Sequence, residues 1–396
     1  MSRTTVAEAS SATARTAPMA ATVTTVSVMG VLVVGQMYVT IPLMPELARA
    51  WGVPTQSAAL STTAFAFAHA AGSLISGPLS TRFGRRTVMV ANVLAMAVVT
   101  ALLPLAGGLA TGVALRAAQG LFAGSFIPMS YAYLHARIAP HRVAPALTVV
   151  SACMGATVVV GQVEAQLVAQ LAGWVWVFWA TVPLLLAGAA VSWRVLLPEP
   201  RQPRTTAGRR PGPSDLRAAL APGLIPLYLV ILVAAGSLTA VYTGVQLYGP
   251  DDVAGGGALL ALRASALPAL LGAVLLAPAL ARVPAPRRAA GALAVTVAAL
   301  LAAALGGDGA VALGAALFAF MAGFATLGPA LIQSVGARAA TAQTTAIALY
   351  GFTLNVGAGA GAQLAAVFSR FTALALFLAL ALALAAAVVR YGARET

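Results

Sequence analysis

GPLSTRFGRRT, residues 77–87, stands between two long apolar runs at 57–79 and 87–106. Gly77 and Gly84 let the chain fold back within a few residues. Arg82, Arg85 and Arg86 place three positive charges in that turn. An apolar run of about 20 residues is long enough to cross the hydrocarbon core of a bilayer. Two such runs joined by a basic turn read as two spanning helices, with the turn held on the cytoplasmic face by its charge.

Reading outward from this turn finds the same pattern along the chain. Apolar runs cover 21–44, 57–79, 87–106, 109–136, 144–171 and 174–197, then 223–248, 255–281, 287–306, 309–334, 340–366 and 368–391. Of 396 residues, 60% are hydrophobic and 8% charged, against roughly 25% charged in an ordinary soluble domain. A soluble chain with so little charge would expose large apolar patches. In a bilayer the solvent is lipid, and helices satisfy their own backbone. The expected fold is therefore an all-α membrane protein with twelve transmembrane helices.

The formal net charge is +14, carried by 23 Arg with no Lys. These Arg residues lie mainly in short loops between apolar runs, which points to membrane topology and not to nucleic acid. Nineteen of the 23 fall on one side if the termini and the even-numbered loops share that side. Glu46, Asp251, Asp252 and Asp308 fall on the other. Both termini are thus expected in the cytoplasm. The single cysteine, Cys153, excludes an internal disulfide and a Cys-rich metal motif.

Residues 1–20 are rich in Ser, Thr and Ala and read as a disordered cytoplasmic tail. The apolar run that follows is about 24 residues, longer than a signal-peptide core, so an uncleaved first helix is expected. Residues 198–222 form the longest polar stretch, rich in Pro and Arg, and read as a cytoplasmic linker. It separates a six-helix half at 21–197 from a second at 223–396. The halves echo each other. Pro78 and Arg82 recur 200 residues later as Pro278 and Arg282. Pro128 and Arg137 recur at an offset of 201 as Pro329 and Arg338, and Gly161 at 200 as Gly361. Parallel repeats of this kind occur in secondary transporters.

The turn at 77–87 resembles the signature loop of the major facilitator superfamily, G-x-L-x-D-R-x-G-R-R. Residues 38–53, YVTIPLMPELARAWGV, resemble that family's exit from its first helix. Arg116, Gln119 and Gly120 match its R-x-x-Q-G motif in helix four. Gly173, Trp174, Trp176 and Phe178 resemble the opening of its helix six. The likeness is to the twelve-helix bacterial drug and metabolite exporters. It implies two six-helix halves that rock around a midplane site, with the loop serving as a gate on the cytoplasmic side. Two departures stand out. Thr81 occupies the position of the family's Asp, which implies a weaker or rearranged latch between the halves. The G-P-x-x-G-G stretch of family antiporters reads GATVVVGQVEAQ at 155–166, with Gly155 and Gly161 kept and the Pro absent.

Ionisable groups inside apolar segments are costly and therefore mark function. Four stand out: His69, Arg116, Glu164 and Arg263. At about 1.5 Å per residue, Arg116, Glu164 and Arg263 lie about 11–12 Å below the outer ends of their helices. The resemblance implies that helix five neighbours helix eight across the interface between halves, which makes a buried contact of Glu164 with Arg263 or with Arg116 geometrically reasonable. Such a contact reads either as a static pair that holds the halves in register or as part of proton coupling and substrate binding. His69 reads equally as a hydrogen-bonded interior residue or a proton carrier. Gln162, Gln166 and Gln170, four apart, share one face of helix five. Gln36, Tyr38, Tyr131, Tyr242, Gln246, Tyr350 and Asn355 complete a set of cavity candidates. Aromatic and amide groups with few charges suit a largely apolar solute; ordinary helix packing is the competing reading.

No nucleotide-binding loop, G-x-S-x-G elbow or His/Cys metal spacing is present in the sequence, so no cofactor and no enzyme activity are expected. The expected function is proton-coupled efflux of a small solute across a bacterial inner membrane, by a monomer with solute, proton and bilayer as partners. Proton-coupled uptake is the alternative, and a receptor or scaffold is the rival class.

Overall fold

A computed structural model of the chain describes residues 17–198, 213–249, 256–280, 282–306, 309–339 and 342–392. Among them the backbone is helix and turn, with no strand. Most of the expected tail (1–16), most of the linker (199–212), and Asp251, Asp252 and Asp308 lie outside the described residues.

The elements run α1 (Met19–Gly35), α2 (Met44–Trp51), α3 (Leu60–Phe83), α4 (Arg85–Leu102), α5 (Leu109–Gly124), α6 (Phe126–Arg137), α7 (Pro140–Ala172) and α8 (Trp174–Val195). After the linker come α9 (Pro213–Ala219), α10 (Ile225–Tyr248), α11 (Gly256–Ala264), α12 (Leu267–Leu280), α13 (Ala285–Leu305), α14 (Ala310–Arg338), α15 (Gln343–Val367) and α16 (Phe371–Gly392). Short 3-10 turns occupy Thr55–Ala59 and Leu103–Leu105. Among the described residues seven helices are long and apolar enough to cross a membrane: Thr55–Ser76, Arg85–Leu105, Pro140–Ala172, Trp174–Val195, Ile225–Tyr248, Ala285–Leu305 and Ala310–Arg338.

Three apolar runs expected as single helices are broken, and proline accounts for each break. A proline lacks an N–H and its ring clashes with the carbonyl four residues earlier. Pro42 stands in the irregular stretch 36–43 that separates α1 from α2. Pro128 opposes the carbonyl of Gly124, where α5 ends. Pro268 opposes that of Ala264, where α11 ends. Pro145, Pro183 and Pro329 are accommodated inside α7, α8 and α14. The short turn between α7 and α8 falls at Gly173, within the expected 172–173, while that between α15 and α16 occupies 368–370 and not the expected 367. The end of the expected linker is helical. Pro213 and Asp215 open α9 and Arg217 lies in its last turn, which suits the helix dipole. Ala219 is buried there, and its carbonyl accepts from Tyr228 Oη.

The surface is apolar as well as the core. Leu275, Val311 and Val367 are 80%, 88% and 82% exposed, while Arg116, Gln119, Gln162 and Arg263 are buried within a largely hydrophobic interior. Apolar side chains turned outward are what a lipid solvent selects.

Packing follows one pattern twice. α1 packs on α7, α3 on α5, and α4 on α8; α10 packs on α15, α12 on α14, and α13 on α16. The crossings α1–α7 and α10–α15 each rest on a glycine pair. A Cβ on Gly161 would meet the carbonyl oxygen of Gly35 at 2.7 Å, and one on Gly361 would meet that of Gly236 at 2.0 Å. The helices thus approach backbone to backbone. Across the seam between the two groups, α3 packs on α15, and α7 on α11 and α12.

Candidate functional site

Arg116 lies in the middle of α5, fully buried. Its Nε donates to Ser61 O at 3.3 Å, Nη1 to Gln119 Oε1 at 2.6 Å, and Nη2 to Met37 O at 3.3 Å and Thr40 Oγ1 at 3.5 Å. The guanidinium sits 4.4 Å from the Phe65 ring centroid. Gln119 Nε2 passes the network to Thr100 Oγ1 at 2.8 Å. The break at 36–43 explains the partner choice. Ile41 N turns back to Tyr38 O in a tight turn. Met37 O is thereby left without its helical donor, and Arg116 supplies one. Arg116 therefore ties α3, α4, α5 and the broken stretch into one unit.

Arg263 lies on the last turn of α11 and is equally buried. Nη1 donates to Gln166 Oε1 on α7, and Nη2 to Gln246 Oε1 on α10. Its Nε has no acceptor. Tyr242, one turn before Gln246 on α10, is buried with its hydroxyl unpartnered. Glu46 is the carboxylate whose charge reaches Arg263. Arg263 thus links α11 to α7 and α10. Two further bonds join α3 and α15: Thr63 Oγ1 donates to Gly359 O at 2.8 Å, and Gln363 Nε2 donates to Thr63 Oγ1 at 3.1 Å.

The expected Glu164 pairs are not formed. Glu46 pairs instead with Arg49, at 3.6 Å. Geometry explains the difference. Gln166 occupies the face of α7 turned to Arg263, and two residues along a helix rotate by about 200°. Glu164 therefore points away from α11, on the side near Gly161 where α7 crosses α1. Arg116 in turn spends its donors on carbonyls, an amide and a hydroxyl. Glu164 is half-buried.

His69 faces Asn355 across the α3–α15 seam. Both its ring nitrogens lack a partner in bonding geometry. Its ring stacks on Phe65 at 6.0 Å, the same ring that lies beneath Arg116. The remaining candidates divide. Gln166, Tyr242 and Gln246 gather at Arg263. Gln162 Nε2 donates to Val158 O, Asn355 Nδ2 to Gly351 O, and Tyr350 Oη to Gly328 O, all contacts of helix packing. Tyr131 Oη and Ser151 Oγ lie 2.9 Å apart. Gln36 and Tyr38 are buried in the broken stretch. The sequence reading missed Thr63, Gln363 and Glu46, because nothing local marks a residue that meets another helix hundreds of positions away.

At the basic turn, Gly84 adopts φ +81°, a left-handed conformation open to glycine. Arg86 Nη2 donates to Trp193 O, and its guanidinium lies 3.9 Å from the Trp193 ring centroid. Arg82 stands 5.1 Å from the Phe83 ring. Arg85 is half-buried, and Gly77 and Thr81 lie on the last turns of α3, where their surroundings are outside the described residues. Arg86 therefore fastens the turn to α8 of its own helix group.

Apolar helices around buried polar networks define a multi-pass membrane protein. The family model of the Major Facilitator Superfamily matches residues 26–362, and the chain belongs to that family. The family's members are transporters and not enzymes. The chain is similar to the "Tetracenomycin C resistance and export protein" of Streptomyces glaucescens, 32% identical over 143 residues, which is 36% of this chain and 26% of that protein. It is also similar to the "Multidrug export protein EmrB" of Haemophilus influenzae, 26% identical over 153 residues, 39% of this chain and 30% of that protein. The aligned stretches span less than a third of these relatives.

Proposed function

We propose that this chain is a proton-coupled exporter of a small, largely apolar organic solute. In this reading twelve spans form two six-helix halves, 21–197 and 223–396, joined by the cytoplasmic linker 198–222. The observation that carries it is the repeated packing: the same helix pairs and equivalent glycine crossings on either side of a polar seam. Two rigid halves meeting at such a seam are the apparatus of alternating access, with solute bound between them. The names of the two relatives support export over uptake. The Arg asymmetry supports an inner-membrane orientation with cytoplasmic termini. The seam bonds at Thr63 and Arg263 then close the outer side. Alkaline-phosphatase fusions at residue 210 are expected to be inactive, and active fusions overturn the orientation.

Glu164 is the coupling residue in this proposal. It is half-buried and has no guanidinium partner, so a change in the packing of α7 on α1 can open it to water and let it exchange a proton. Glu164→Gln keeps the side chain's shape and mimics the protonated acid. In proteoliposomes with an imposed pH gradient, the variant is expected to bind solute but not accumulate it. Wild-type gradient-driven transport in a folded Glu164→Gln protein rules the role out.

A further inference from the structure

We infer that Arg263 is the docking point for a negatively charged group, so that the solute carried is an organic anion, a carboxylate or phenolate on an apolar body. This inference rests on the transporter reading and names its substrate class. Arg263 is 1% exposed and holds its charge at any physiological pH. Its two bonded partners, Gln166 and Gln246, are neutral amides. The carboxylate whose charge reaches it, Glu46, contacts the exposed Arg49 through Oε1 at 3.6 Å and makes no bond to Arg263. Two arginines to one carboxylate leave the place electropositive.

Nε carries the unpartnered N–H. It lies on the same edge of the guanidinium as Nη2, and that edge takes the two oxygens of a carboxylate side by side. The Tyr242 hydroxyl, also unpartnered and buried, offers a further donor. A buried cation with no carboxylate in bonding contact is costly for a protein to hold. A site that pre-positions such a cation gains most from a ligand that supplies the missing charge. The place is also right, since α7 lies in one helix group and α10 and α11 in the other. A neutral solute leaves the charge uncompensated, and a cationic one is repelled.

The test uses matched probes on the purified full chain in lipid nanodiscs: 2-naphthoate, 2-naphthamide and 2-naphthylmethylammonium, titrated calorimetrically at pH 7.5. Wild type is expected to bind the carboxylate at least tenfold more tightly than the amide, about 1.4 kcal/mol, and the ammonium most weakly. Arg263→Gln is expected to bring the carboxylate to the level of the amide and leave the amide unchanged. Equal or weaker binding of naphthoate by wild type, including none, overturns the inference, as does an Arg263→Gln protein that keeps the preference. Should that variant not fold, the wild-type order decides alone. Proteoliposomes separate the two readings. Transport of the amide or ammonium without naphthoate binding refutes the anion assignment only; naphthoate binding with transport of none of the three refutes the transporter reading only.

Discussion

The two buried arginines are alike in sequence context and opposite in structure. Arg116 and Arg263 each sit in an apolar helix, and neither forms an ion pair. Arg116 spends its donors within one helix group, two of them on backbone carbonyls. Arg263 spans the seam, bonded to two flexible side chains, with one N–H to spare. A cation satisfied by fixed backbone is a structural rivet. A cation held by movable amides at an interface can let go, which is what a site that opens and closes requires.

The same substitution at both positions gives the largest contrast. Arg116→Gln strands the carbonyls of Met37 and Ser61, which cannot move to new donors. At roughly 1–2 kcal/mol for each buried group left unmet, the expected loss is about 3 kcal/mol. Arg263→Gln leaves three amides that can bond to one another, with a loss under about 1.5 kcal/mol. Thermal unfolding in detergent measures both. Equal losses break the comparison.

A smaller effect is expected where the seam is held by neutral groups. Thr63→Val removes the bonds to Gly359 O and Gln363, each worth about 0.6 kcal/mol between membrane helices. The closed arrangement of α3 and α15 should weaken by about 1 kcal/mol, a roughly fivefold shift toward separation. Distances between spin labels on the two helices report it. An unchanged distribution means that the seam is held by apolar packing alone.

The smallest effect on binding is expected at the basic turn. Arg86 contacts Trp193 within its own helix group, far along the chain from Arg263. Arg86→Ala should slow transport while leaving solute affinity within about threefold, under 1 kcal/mol. A larger affinity loss in folded protein would join the turn to the site.

The sequence by itself determined the class of protein. Runs of about 20 apolar residues, Arg in the loops and the pattern at 77–87 are local, additive signals, and lipid solvent leaves helices as their outcome. Proline alone did not decide the helix breaks, since Pro145, Pro183 and Pro329 lie inside unbroken helices. Arg116, Arg263, Gln166, Tyr242 and Gln246 were all visible as polar residues in apolar runs. Their partners were not. Glu164 and Gln166 are two positions apart, and either could have faced α11; the rotation of α7 set by the Gly35–Gly161 crossing turned Gln166 inward. Thr63 meets Gly359 only because α3 and α15 pack together. Which donors stay unspent depends on distances between segments tens to hundreds of residues apart, and only the tertiary structure sets those distances.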